Sequence, residues 1–130
     1  MPLFWQRLAC VALGGALGSC LRWLVSEWAA VRWGTGYPVG TTIVNLVGSF
    51  VFGVLWASGG PSGLSPLMRA LLLSGVLGGF TTFSSFMFDT TYLQAAGRSG
   101  LALTNLALQN VVGLLLMVVG SGLGRALSAS

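Results

Sequence analysis

Apolar residues run through this chain in four long blocks, separated by short polar or breaker-rich stretches. A helix crossing a hydrocarbon layer of roughly 30 Å needs about 20 predominantly apolar residues. Segments of about 3–25, 39–57, 67–93 and 101–127 meet that requirement. Between them, Glu27 to Pro38 is polar and Trp-rich, Ser58 to Gly63 is dense in Gly, Ser and Pro, and Gln94 to Gly100 is a short link. Trp5, Trp23, Trp28, Trp56 and Tyr92 fall at segment ends, as a belt at the membrane–water boundary requires. The pattern predicts an all-α integral membrane protein: one four-helix transmembrane domain over residues 1–130.

One run breaks the pattern. Gly78-Gly79-Phe80-Thr81-Thr82-Phe83-Ser84-Ser85-Phe86 places two glycines and four hydroxyls inside the third block. Within a bilayer each backbone amide and hydroxyl must find a partner, so this run faces protein, water or a ligand rather than lipid. A third helix broken mid-membrane is expected. If Gly78-Gly79 opens it, carbonyls from Gly78 to Thr81 lose their partners and need water, side chains or a cation. Phe83 and Phe86 are three apart and project similarly if the helix resumes. Their electropositive ring edges could face an anion, with Thr82, Ser84 and Ser85 as hydroxyl donors nearby. Core packing explains the same rings, and physics alone leaves the two readings nearly balanced.

Composition narrows the chemistry. Hydrophobic residues make up 55% of the chain and charged residues only 6%, far below the roughly 25% of a soluble domain. The formal charge of +4 is six arginines against Glu27 and Asp89. The arginines are scattered singly, with no cluster to track phosphates, so nucleic acid is not an expected partner. Counted by membrane side, Arg7, Arg69 and Arg125 oppose Arg22, Arg32 and Arg98. The charge bias that orients membrane proteins is therefore almost absent. Insertion both ways with antiparallel pairing, a dual-topology homodimer, would supply the symmetry that larger transporters encode by duplication. The chain has no histidine and no mid-span carboxylate. A proton relay, acid/base pair or nucleophile lacks its residues, which argues against an enzyme. Cys10 and Cys20 are expected as buried free thiols. Leu17-Gly18-Ser19-Cys20 resembles a lipoprotein cleavage site, but the apolar run continues past it, so a retained span is expected.

The other spans carry polar stripes. Thr41, Asn45, Gly48, Ser49 and Phe52 share one face of the second, with Asn45 serving either as interhelical glue or as pore lining. On the first, Gly14 and Gly18 suit close helix packing, and Arg22 is either an interface anchor or a vestibule charge for anions. On the fourth, Asn105 and Gln109 lie on one stripe with Gly113, either extending a polar track of the pore or hydrogen-bonding between helices, and Gly120 and Gly124 form another close-packing pair. A path of neutral donors and ring edges suits an anion better than a cation.

Three ordered motifs resemble the Fluc (CrcB) fluoride channels: Gly14-Gly15-x-x-Gly18-x-x-x-Arg22-Trp23, Gly40-Thr41-x-x-x-Asn45-x-x-Gly48-Ser49-Phe50, and the run from Gly78 to Phe86. The likeness covers nearly the whole chain. It implies a dual-topology homodimer in the cell inner (plasma) membrane, with two antiparallel pores that let fluoride leave the cytoplasm passively. It further implies that Phe83, Phe86 and Asn45 line each pore. A structural sodium ion at the dimer interface would be held by the backbone carbonyls of Gly78 and Thr81 from both subunits. Arg22 matches the family's first-span arginine. Ser85 stands where threonine is common, Asp89 where glutamate is usual, and Asn105 and Gln109 where the family often has tyrosine or serine.

Two other classes compete. A small four-span multidrug or metabolite exporter would need a membrane-embedded glutamate, and Glu27 lies beyond Arg22 at the end of its span. A non-transporting assembly subunit would use the glycine pairs only to pack other helices.

Overall fold

The computed structural model describes residues 1–58 and 63–129. Among these, four helical segments are long and apolar enough to cross a membrane: Pro2–Trp33, Val39–Ala57, Pro66–Ala95 and Ser99–Ser128. Four membrane-length helices were expected, and four are present among the described residues. Residues 59–62 of the breaker-rich connection lie outside the described residues.

Helix α1 spans Pro2–Trp33, with proline at its first turn, where a missing N–H costs nothing. It does not stop near Val25 as expected. From Ser19 to Trp33 there is no glycine or proline, so the polar, Trp-rich stretch continues the helix until Gly34. There φ reaches 75°, a conformation that glycine adopts without steric cost. Helix α2 spans Val39–Ala57 and follows Pro38.

The third span has two parts. Helix α3 covers residues 66–80, and Ser65 caps its N-terminus by accepting from the Met68 N–H at 3.3 Å. From Pro66–Met68 the helix widens to a π-helix over Arg69–Leu77 and tightens again at Gly78–Phe80. Thr81 (φ −82°, ψ 157°) and Thr82 (φ −150°, ψ 114°) are extended. Helix α4 then runs over Phe83–Ala95. The interruption therefore lies at Thr81-Thr82, not at Gly78-Gly79. Both glycines are helical, and only Gly79 is pressed against a neighbouring helix; a methyl at Gly78 would meet nothing closer than 3.7 Å. Helix α5 covers Ser99–Ala107, a π-turn at Leu108–Val112, and Gly113–Ser128.

Without water between helices, association in a membrane relies on close packing, which small residues permit. Two pairs of helices use it. A methyl group at Gly14 would strike the Leu71 carbonyl oxygen, and one at Gly18 that of Val76. At Gly79 it would sit 2.6 Å from the Gly15 carbonyl oxygen. Backbone thus meets backbone where α1 crosses α3. In the same way Gly53 abuts Met117, Gly120 abuts Phe50 and Gly124 abuts Val54, locking α2 to α5. Gly48 joins the pairs, since a methyl there would overlap the Thr81 side chain at the interruption. Leu13, Leu17, Val118 and Val119 point outward. Cys10 and Cys20 are free thiols, but neither is buried as expected: Cys10 is half-buried and Cys20 exposed on α1.

Candidate functional site

A cavity of about 310 Å³ lies against the interruption, between α2, the third span and α5. Asn45, Ser49, Thr81, Thr82, Phe83 and Phe86 are among its walls, together with Gln109 and Asn110, and none of its lining residues is charged.

The interruption is held by one side chain. Asn45 accepts from the Thr82 N–H at 2.8 Å and donates to the Thr82 carbonyl at 3.1 Å. Its amide thus acts as a surrogate peptide, pairing both backbone groups of a residue in neither helix. That satisfies the demand that buried backbone groups be bonded. The Thr82 hydroxyl caps α4, accepting from the Ser85 N–H at 3.3 Å and donating to the Ser85 hydroxyl at 3.1 Å. Ser84 approaches the same hydroxyl at 3.4 Å.

These diversions have a consequence for two carbonyls. In a continuous helix the Thr82 N–H would bond Gly78's carbonyl and the Ser85 N–H that of Thr81. Here one goes to Asn45 and the other to the Thr82 hydroxyl. The carbonyls of Gly78 and Thr81, both at the cavity wall, lose their ordinary helical donors. Neutral oxygen donors of this kind fit a hard cation. The described residues hold no cluster of three His, Cys, Asp or Glu that could bind a metal, so a cation here would rest on backbone oxygen.

The phenylalanines divide. Phe86 is 5% exposed and Phe83 73% exposed, with centroids 6.0 Å apart and planes at 68°, an edge-on pair. One ring is walled in by its own chain while the other projects from it. Phe83, too, lines the cavity.

A hydrogen-bonded chain leads away from Asn45. It donates to Gln109 Oε1 at 2.6 Å; Gln109 donates to Asn105 Oδ1 at 2.8 Å and to Thr42 at 3.4 Å. Asn105 donates to the Thr90 hydroxyl at 2.9 Å and accepts from the Tyr37 hydroxyl at 3.2 Å. Gln109 reaches the cavity wall, but Asn105 does not line it and is fully buried. Ser84, Ser85 and Arg22 are also absent from the lining, and Arg22 is half-buried on α1. Thr41 shares the helix face of Asn45 yet lines a second cavity of about 190 Å³, together with Asp89. Asp89 Oδ2 is buried without a hydrogen-bond partner.

Sequence reading missed Tyr37, Thr42 and Thr90 as members of this network. Thr90 lies four residues beyond Phe86 and bonds its carbonyl at 2.8 Å, so helical spacing could have flagged it. Nothing local marks Tyr37, which comes from the α1–α2 loop.

The family model for CrcB-like protein, Camphor Resistance (CrcB), matches residues 9–121. A relative from Xanthomonas euvesicatoria is 46% identical, covering 98% of this chain and 97% of its own. One from Thermus thermophilus is 43% identical, with 94% and 96% covered, and one from Roseiflexus is 42% identical, with 94% and 99% covered. Each is named a fluoride-specific ion channel FluC. Matched along nearly its whole length and built of four membrane-crossing helices, the chain is a multi-pass membrane protein that belongs to the CrcB family.

Proposed function

We propose that this chain forms a fluoride-selective channel through which fluoride leaves the cytoplasm passively, its pores completed by a second, antiparallel copy. The observation that carries the reading is the uncharged cavity at Thr81-Thr82, where hydroxyls, amides and edge-on rings meet. Fluoride is small and strongly hydrated, so passage requires close donors in place of its water. Chloride, larger and less strongly hydrated, gains less from such a lining. The names of the relatives support the same ion.

Two observations support the second copy. The exposed Phe83 ring leaves a cavity wall that another chain would close. The arginines divide evenly between the two sides, so either orientation inserts equally well. A sodium ion between the copies, on the carbonyls of Gly78 and Thr81, suits the loss of their helical donors. When bound it would supply fixed positive charge and tie the two interruptions together. In this reading Phe83, Phe86, Asn45, Thr82, Ser84, Ser85 and Gln109 border the route, with Asn105 behind it and Arg22 at its vestibule.

The exporter reading has one foothold, the partnerless buried oxygen of Asp89; Glu27 is exposed and lines neither cavity. Liposomes loaded with equimolar fluoride and chloride decide the matter. Purified protein is expected to release fluoride while retaining chloride, and comparable release of both refutes the channel reading. Proton-coupled transport of an organic cation that Asp89→Asn abolishes would establish the exporter instead.

A further inference from the structure

Within the fluoride reading, we propose that Gln109, Asn105 and Tyr37 form a positioning relay that fixes the orientation of Asn45, rather than a row of donors for the passing anion. The hydrogens settle the direction of every link. The Thr82 N–H needs an acceptor, so Asn45 presents Oδ1 to it and turns Nδ2 the other way. A carboxamide nitrogen carries two hydrogens. Those of Asn45 go to the Thr82 carbonyl and Gln109 Oε1. Gln109, obliged to accept there, turns its own nitrogen to Asn105 Oδ1 and to Thr42. Thr42 accepts because its hydrogen is given to the Pro38 carbonyl at 2.9 Å.

The same logic reaches the far end. Asn105, accepting at Oδ1, donates to Thr90, whose hydrogen is already given to the Phe86 carbonyl. The Tyr37 hydroxyl donates to Asn105 Oδ1 and completes its acceptor shell. Asn105 is fully buried and does not line the cavity, so water does not compete for its links. Turning any one amide over would set donor against donor at Thr82 or acceptor against acceptor along the chain. With both hydrogens of Asn45 and both of Gln109 committed, neither side chain has one left for an anion. Their influence on the route passes through the backbone of Thr82. Tyr37, in the loop between α1 and α2, is the outermost positioning residue.

The test combines flux with a direct view of the amide. In protein labelled with 15N-asparagine, the side-chain signals of Asn45 are assigned by their loss in Asn45→Ala. Tyr37→Phe, which removes one oxygen from a loop residue, is expected to shift those signals and speed their hydrogen exchange. It is also expected to slow fluoride release from liposomes about threefold to tenfold, the value of one hydrogen bond. In a Gln109→Met background, where the relay is already cut, Tyr37→Phe is expected to change neither. Gln109→Glu, which keeps the acceptor for Asn45 and loses the donor to Asn105, serves as the second interrupted background. Independent donors predict instead that the flux losses multiply, and that result, or unmoved Asn45 signals in Tyr37→Phe, overturns the relay. If wild-type protein releases no fluoride, the channel reading fails and the Asn45 signals alone decide the relay.

Discussion

Replacing Asn45 probes the core of the site. Asn45→Ala deletes three hydrogen bonds, two to the backbone of Thr82 and one to Gln109. Thr82 is 8% exposed, so its N–H and carbonyl lose partners where little water reaches. Side-chain hydrogen bonds within membrane proteins average about 0.6 kcal/mol each, which sums to about 2 kcal/mol for three. Leaving buried groups unsatisfied costs about 1–3 kcal/mol apiece; the adjoining cavity can admit water to Thr82, so the lower figure is the better guide. The expected loss is about 2 kcal/mol, roughly thirtyfold in the folded-to-unfolded ratio. Reversible unfolding in mixed detergent–SDS micelles reads it, and fluoride release from liposomes is expected to fall in parallel. Asn45→Asp separates the surrogate-peptide role from simple packing. It keeps the acceptor for the Thr82 N–H but turns carboxylate oxygen toward the Thr82 carbonyl and Gln109 Oε1, both acceptors. It is therefore expected to be worse than alanine. Stability within about 0.5 kcal/mol of wild type for Asn45→Ala, or an aspartate variant as active as wild type, refutes the clamp.

Three further outcomes are expected. Gly79→Ala places a methyl 2.6 Å from the Gly15 carbonyl oxygen and is expected to cost about 1–3 kcal/mol through overpacking. Gly15→Ala, whose methyl meets nothing within 4 Å, is its neutral control in the same unfolding assay. Thr82→Val removes the cap on α4 and is expected to cost about 1 kcal/mol. Thr82→Ser keeps the hydroxyl and is expected to recover most of that loss, as helix-resolved hydrogen exchange would report. Phe83→Ile, at an exposed ring, is expected to leave unfolding within about 0.5 kcal/mol while cutting fluoride release at least about tenfold, or about 1.4 kcal/mol at the barrier. Phe86→Ala, at a buried ring, is expected to lose stability as well, by about 3 kcal/mol or more. Equal profiles for the two would show that the rings do not divide in this way.

Much of this molecule was legible without coordinates. The spans follow from hydropathy, a property of each residue's contact with lipid that adds along a segment, so four apolar blocks became four membrane-length helical segments. The pairs Gly14/Gly18 and Gly120/Gly124 announced close approach because only glycine's missing side chain permits it. Asn45 was conspicuous because an amide in an apolar block must have a partner. Local signals failed where the outcome depended on a distant residue. The glycines looked like the opening of the third helix, yet the chain opens at Thr81-Thr82. Asn45, 37 residues away, can bond both backbone groups there, while Gly79 serves the contact with α1. Asn105 and Gln109 were open between a polar track and interhelical bonding; Gln109 reaches the cavity wall and Asn105 does not, and they are bonded to each other and to a tyrosine 68 residues from Asn105. Sequence by itself determined what each residue requires of its surroundings: lipid, a close neighbour or a hydrogen-bond partner. Only the tertiary structure decided which partner meets each requirement, because hydrogen bonds are made over about 3 Å in space between residues that no local pattern relates.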